Sequence, residues 1–125
     1  MSQNQQPLIL CIDDDPDFLT YVRATLANAG YRVLEAYSAK EGLKLFKEQH
    51  PAMVIVDLMM EELDAGAIFC KEIRSSGSSV PIFLLSSVGD ELHQATDAAA
   101  LGFDGVLQKP LRQEDLLKVV KANLK

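Results

Sequence analysis

An open, doubly wound α/β sheet is the fold class this chain predicts, and three observations carry it. Five short apolar runs recur along its 125 residues. Three of those runs are apolar almost throughout, as strands buried on both faces must be. Each run is followed by a segment whose apolar residues fall at helical spacing. Strand then helix, five times over, is the pattern of a mostly parallel sheet covered by helices on both sides.

The elements follow in chain order. "LILCI" (8–12) is the first strand, and Leu19, Val22 and Leu26 stripe a helix that ends before Gly30. "YRVLEA" (31–36) is the second strand, and Ser38 opens a helix carrying Leu43 and Phe46. "AMVIVD" (52–57) is the third; its helix runs from about Ala65 to Ser75 with Ile68, Phe69 and Ile73, and stops at "SSGSSVP". "PIFLLS" (81–86) is the fourth, followed by an alanine-rich helix over roughly 90–101 that has little area to bury. "GVLQK" (105–109) is the fifth, and Leu116, Leu117, Val120 and Leu124 line the last helix. At this length residues 1–125 make a single domain, with an ordered core over about 7–124.

Composition narrows the function. Nearly half the residues are apolar and about a quarter charged, which is ordinary globular composition. The net charge is -6 and no cluster of Lys or Arg forms a phosphate-backbone footprint, so direct nucleic-acid binding is not expected. Cys11 and Cys70 match no metal-ligand spacing and read as buried small hydrophobes in a reducing compartment. "MSQNQQP" is no secretory signal and no apolar run reaches membrane-spanning length, so the expectation is a soluble cytoplasmic protein without a membrane partner.

In doubly wound sheets ligands bind outside the carboxyl ends of the strands. The first run ends at Asp13 and Asp14, the third at Asp57, the fourth at Ser86 and the fifth at Lys109. Any one of these is equally well a turn, cap or surface residue; what stands out is that one edge collects them all. Carboxylates about 4 Å apart repel by roughly 4 kcal/mol per pair at an effective dielectric near 20, so three together call for a cation unless some stay protonated. All-oxygen donors with no His or Cys nearby select a hard divalent ion, Mg2+ ahead of Ca2+. With the ion and Lys109 in place the pocket is neutral and suited to a phosphoryl group. Phosphoryl transfer to a side chain needs a nucleophile, a metal and donors for the remaining oxygens. Asp57, at the end of the central strand, is assigned as nucleophile; Asp13 and Asp14 hold the metal; Lys109 and Ser86 meet phosphoryl oxygens.

The motifs "CIDDDP", "VIVDLMM", "PIFLLSS" and "LQKP", in that order, resemble the receiver domains of response regulators, the phosphoacceptor modules of two-component signalling. The resemblance covers about residues 7–124. It implies a flavodoxin-like five-stranded parallel sheet with strand order 2-1-3-4-5 and five helices. It implies a signalling domain rather than an enzyme, phosphorylated on Asp57 by a histidine kinase or phosphotransfer protein with Mg2+ required. The metal would take Asp13, Asp14, Asp57 and the backbone carbonyl of Met59, with Asp14 the direct ligand of the acidic pair and Asp13 acting through water or by orienting it. The Lys109–Pro110 bond would be cis. Ser86 would move inward on phosphorylation and reshape the face made by the fourth helix, fifth strand and fifth helix, where a downstream effector protein or domain reads the state.

The chain departs from the family pattern in three places. "DLMMEELDAG" has Glu61 where proline is usual and Gly66 one place late, which suggests a one-residue insertion; a second lies around "SVGDE". Val106 stands where the family has Tyr or Phe, so an aromatic switch is replaced by something else, with the loop after Ser86 and the fourth helix the expected carriers. Met59 and Val88 flank the site as apolar residues, and His50 and His93 read as surface residues. Three rival functions remain: a degenerate receiver that signals without phosphorylation, a metal-dependent aspartyl-phosphate phosphatase, and a flavin or nucleotide binder. The phosphatase would want a second aspartate at Met59, and the nucleotide binder a GxGxxG that the sequence lacks.

Overall fold

The computed structural model describes residues 6–58, 65–87 and 95–124. The strands are β1 (Leu8–Ile12), β2 (Arg32–Ala36), β3 (Met53–Asp57), β4 (Ile82–Ser86) and β5 (Gly105–Gln108). The helices are α1 (Pro16–Asn28), α2 (Ala39–Gln49), α3 (Ala65–Ser75), α4 (Ala95–Ala100) and α5 (Gln113–Asn123). All neighbouring strands are parallel and their order is β2-β1-β3-β4-β5, the flavodoxin-like order expected from sequence.

The three most continuously apolar runs are the three inner strands. Ile9 to Ile12, all of β3 and most of β4 are buried, whereas β2 and β5 are half exposed. Lys109 falls one residue past β5, but its N–H still donates to the Ser86 carbonyl at 2.8 Å, so the ladder extends that far. The Lys109–Pro110 bond is cis.

Side chains alternate across the sheet with period two. Leu10, Ile12, Val54, Val56, Ile82 and Leu84 enter one core with Phe69, Cys70 and Ile73 of α3 and Ala98 of α4. Ile9, Cys11, Met53, Ile55, Leu85 and Leu107 enter the other, under Leu19, Val22 and Leu26 of α1 and Leu116 and Val120 of α5. Both cysteines are buried and free, and burial pushes both thiols above their ordinary pKa.

Local chemistry sets the helix starts. Asp15 is the N-cap of α1, accepting from the Asp17 N–H at 3.0 Å, and Pro16 takes the first helical turn, where its missing N–H costs nothing. Ser38 caps α2 by accepting from the Glu41 N–H at 3.1 Å, while Glu41 accepts from the Tyr37 N–H at 2.7 Å. His50, an exposed residue, closes α2 in the left-handed region at φ 51°.

One packing expectation is corrected. Ile68 does not share the apolar face of Phe69 and Ile73; it is 55% exposed. Ala65, Phe69 and Ile73 lie four residues apart, with Gly66 and Cys70 beside them, and this set is the buried stripe. Ile68 sits about 100° round from Phe69, toward solvent. The expected start of α4 at residue 90 and the insertions placed after Asp57 and around "SVGDE" involve stretches outside the described residues, as do Met59, Val88 and His93.

Candidate functional site

The alternation that builds the two cores also aims the site. Asp13 continues the row of Ile9 and Cys11, Asp57 that of Met53 and Ile55, and Lys109 that of Leu107, all on the α1 and α5 side. Ser86 continues the row of Ile82 and Leu84 on the opposite side. Two carboxylates and an ammonium thus reach one edge on one face because β1, β3 and β5 each keep their period to the last residue.

Asp13 is fully buried, with its N–H donating to the Ala36 carbonyl at 3.0 Å as the ladder ends. Its Oδ1 accepts from the Asp15 N–H at 3.0 Å, and its Oδ2 accepts from Lys109 Nζ at 2.7 Å. The same ammonium donates to Asp57 Oδ2 at 3.2 Å, and Asp57 is 6% exposed. Asp14 is exposed, yet one oxygen from each of Asp13, Asp14 and Asp57 lies within 4.8 Å of the others. Ser86, 1% exposed, ends the strand next to Asp57.

Three carboxylates face one ammonium among the described residues, which leaves the cluster negative. Burial works against the charge on Lys109, but the hydrogen bond to Asp13 and the charge of Asp57 outweigh it and hold its pKa above the ordinary 10.5. The lysine is therefore an ammonium at any physiological pH. The remaining charge has only oxygen donors around it, which suits a hard divalent cation and not a soft one.

Two features were not read from the sequence. Phe18, in the first turns of α1, places its ring over Lys109 with Nζ 4.5 Å from the centroid. Gly66 packs its Cα against the backbone of Asp57 and Leu58, and its N–H donates to the Leu58 carbonyl at 3.2 Å. The signal for Phe18 was its position: it is the first large apolar residue after the acidic run, on a helix that covers the face of Asp13.

The model of the response regulator receiver domain matches residues 9–121. This chain belongs to that family. Over 121 residues the receiver domain is 34% identical to the "Probable transcriptional regulator ycf27" of Porphyridium aerugineum, covering 97% of this chain and 49% of that protein. Over 117 residues it is 34% identical to the response regulator MprA of Mycolicibacterium vanbaalenii, covering 94% of this chain and 50% of that protein. It thus spans about half the length of these relatives. Among solved structures, a response regulator receiver domain protein from Clostridium thermocellum superposes with a TM-score of 0.85 at 31% identity, over 94% of each chain. The receiver domain is accordingly a signalling module of two-component systems. Among its described residues no helix is long and apolar enough to cross a membrane.

Proposed function

We propose that this receiver domain accepts a phosphoryl group on Asp57 from the phosphohistidine of a histidine kinase or phosphotransfer protein, in a Mg2+-dependent reaction. The observation that carries the reading is the shared ammonium: Lys109 bridges Asp13 and Asp57 at 2.7 and 3.2 Å within a three-carboxylate cluster. A purely structural ion pair would need one carboxylate, not three.

In this reading an Asp57 carboxylate oxygen attacks phosphorus in line with the P–N bond. That bond breaks, its electron pair returns to the imidazole nitrogen, and an acyl phosphate remains on Asp57. Lys109 keeps its contact with Asp13 and turns its other donors to a phosphoryl oxygen; Ser86 donates to a second. Asp13, Asp14, Asp57 and the Met59 carbonyl, the last outside the described residues, would hold Mg2+. When bound, that ion supplies positive charge against the carboxylates and phosphoryl oxygens.

The output follows from the same edge. Ser86 and Lys109 are tied by the backbone bond between them, so a shift of one reaches β5 directly. An open groove runs between β5 and α5, lined by Phe83, Val106, Leu107, Pro110, Val119 and Ala122 among others. It supports the β5 and α5 part of a state-dependent partner surface, which this reading extends to α4, for a downstream effector protein or domain. Val106, half-buried, has too small a side chain to act as a swinging ring; in this reading the change falls instead to α4 and to the loop after Ser86, which lies largely outside the described residues.

The test is direct. Incubated with MgCl2 and acetyl phosphate, the protein should gain the mass of one phosphoryl group, and lose that gain in Asp57→Asn or in excess chelator. No gain in a folded wild type would favour a receiver that signals through unphosphorylated contacts.

A further inference from the structure

We propose that Phe18 is a positioning residue for Lys109, holding the ammonium where a phosphoryl oxygen on Asp57 will meet it. The inference rests on the reading of Asp57 as phosphoacceptor. A lysine head group sits on four flexible carbons and carries three donors, so two carboxylates alone do not fix it. Here the third side is covered. The ring of Phe18 faces Nζ at 4.5 Å from its centroid, inside the range of about 6 Å over which an aromatic face attracts a cation.

Phe18 is itself held in place. It packs against the α1 and α5 core, and its ring lies 6.3 Å from that of Tyr21, one turn further along α1. The Tyr21 hydroxyl donates to the Leu111 carbonyl at 2.7 Å, two residues past Lys109. Helix α1 therefore grips the segment from Lys109 to Leu111 at both ends, by a ring over the ammonium and a hydroxyl on the carbonyl. Asp15 caps α1 immediately after the acidic pair, so the metal-side carboxylates and the ring share one rigid support.

The chemical type of the contact matters. A third carboxylate at Phe18 would hold the lysine but cancel the charge that the phosphoryl oxygen needs. An aliphatic side chain would leave the charge intact but offer it no attraction. An aromatic face attracts the ammonium while leaving its full charge available.

The test compares Phe18→Leu, which keeps apolar bulk, with Phe18→Tyr, which keeps the ring. In the wild type the Lys109 Cε protons should show an upfield ring-current shift by NMR, lost in Phe18→Leu and kept in Phe18→Tyr. The rate of phosphorylation by acetyl phosphate with MgCl2 should fall about tenfold in Phe18→Leu and return to within about twofold of wild type in Phe18→Tyr. A wild-type rate in folded Phe18→Leu, an equal loss in both variants, or no ring-current shift in the wild type would each overturn the proposal. If the wild type takes up no phosphoryl group, the reading of Asp57 fails on its own; the ring-current comparison then decides by itself whether Phe18 positions the lysine.

Discussion

Gly66 shows how little room a single residue can leave beside the site. A Cβ at this position would stand 2.5 Å from the Asp57 carbonyl oxygen and 3.0 Å from the Leu58 Cα, both backbone atoms that cannot rotate away. Gly66→Ala should therefore push α3 off the end of β3, costing about 1–3 kcal/mol by urea denaturation, and should slow phosphorylation because Asp57 moves with its backbone. A variant as stable and as readily phosphorylated as wild type would show that α3 is not seated on Asp57. Asp14 acts in the opposite sense, since its charge repels two neighbours whose oxygens lie within 4.8 Å. In metal-free buffer Asp14→Asn should gain roughly 1 kcal/mol of stability, because this carboxylate is exposed and well screened. If the cluster binds Mg2+ as proposed, MgCl2 should raise the Tm of the wild type through binding to the folded state, and the variant should lose that rise. An equal response of both proteins to MgCl2 would remove Asp14 from the ligand set.

Elements are held together at the opposite end of the sheet by Arg74, the last basic residue of α3. Its Nε donates to the Gly102 carbonyl at 2.9 Å, and Nη1 donates to the carbonyls of Ser78 and Val80 at 3.1 and 2.7 Å. Nη2 pairs with Asp104 Oδ2 at 2.9 Å, and that oxygen also accepts from the Ile82 N–H at 2.8 Å. One guanidinium thus joins the end of α3, the turn after α4 and the starts of β4 and β5. The turn needs Gly102, at φ 102°, both for its left-handed backbone and because a Cβ there would press on the Arg74 side chain at 3.1 Å. Arg74→Ala should cost about 2–4 kcal/mol, since it strands several partly buried carbonyls and a carboxylate. Arg74→Lys should recover little of it, because an ammonium cannot span that fork. Chemical denaturation of the two variants measures both claims; full rescue by lysine would reduce the clamp to a simple charge pair.

Across the whole molecule, burial grades from the inner strands outward. Backbone amides of Ile9 to Ile12, Val54 to Val56 and Leu84 to Leu85 should be the slowest to exchange with deuterium, and those of β2 and β5 faster, because β1, β3 and β4 are covered on both faces and both edges. Equal protection across all five strands would contradict that grading. The same contrast explains what was legible beforehand. Nearly unbroken apolarity marked β1, β3 and β4 as inner strands, helical spacing marked the elements between them, and the residue ending each run marked the edge of the candidate site, because side-chain period and strand polarity are local properties of the chain. That Asp13, Asp57, Ser86 and Lys109 would meet at one edge was legible for that reason. The outward turn of Ile68 was missed because two adjacent apolar residues on a helix differ only by which neighbour α3 meets. Phe18 and Gly66 were missed for a related reason: one acts through a lysine 91 positions away and the other through the backbone of a different element. Sequence by itself determined the elements, their likeness to the receiver family and the acidic edge, since each is written in local pattern and motif. Only the tertiary structure decided which carboxylates share the ammonium, which ring covers it and how closely α3 approaches Asp57, because those are distances between elements that no periodicity along the chain encodes.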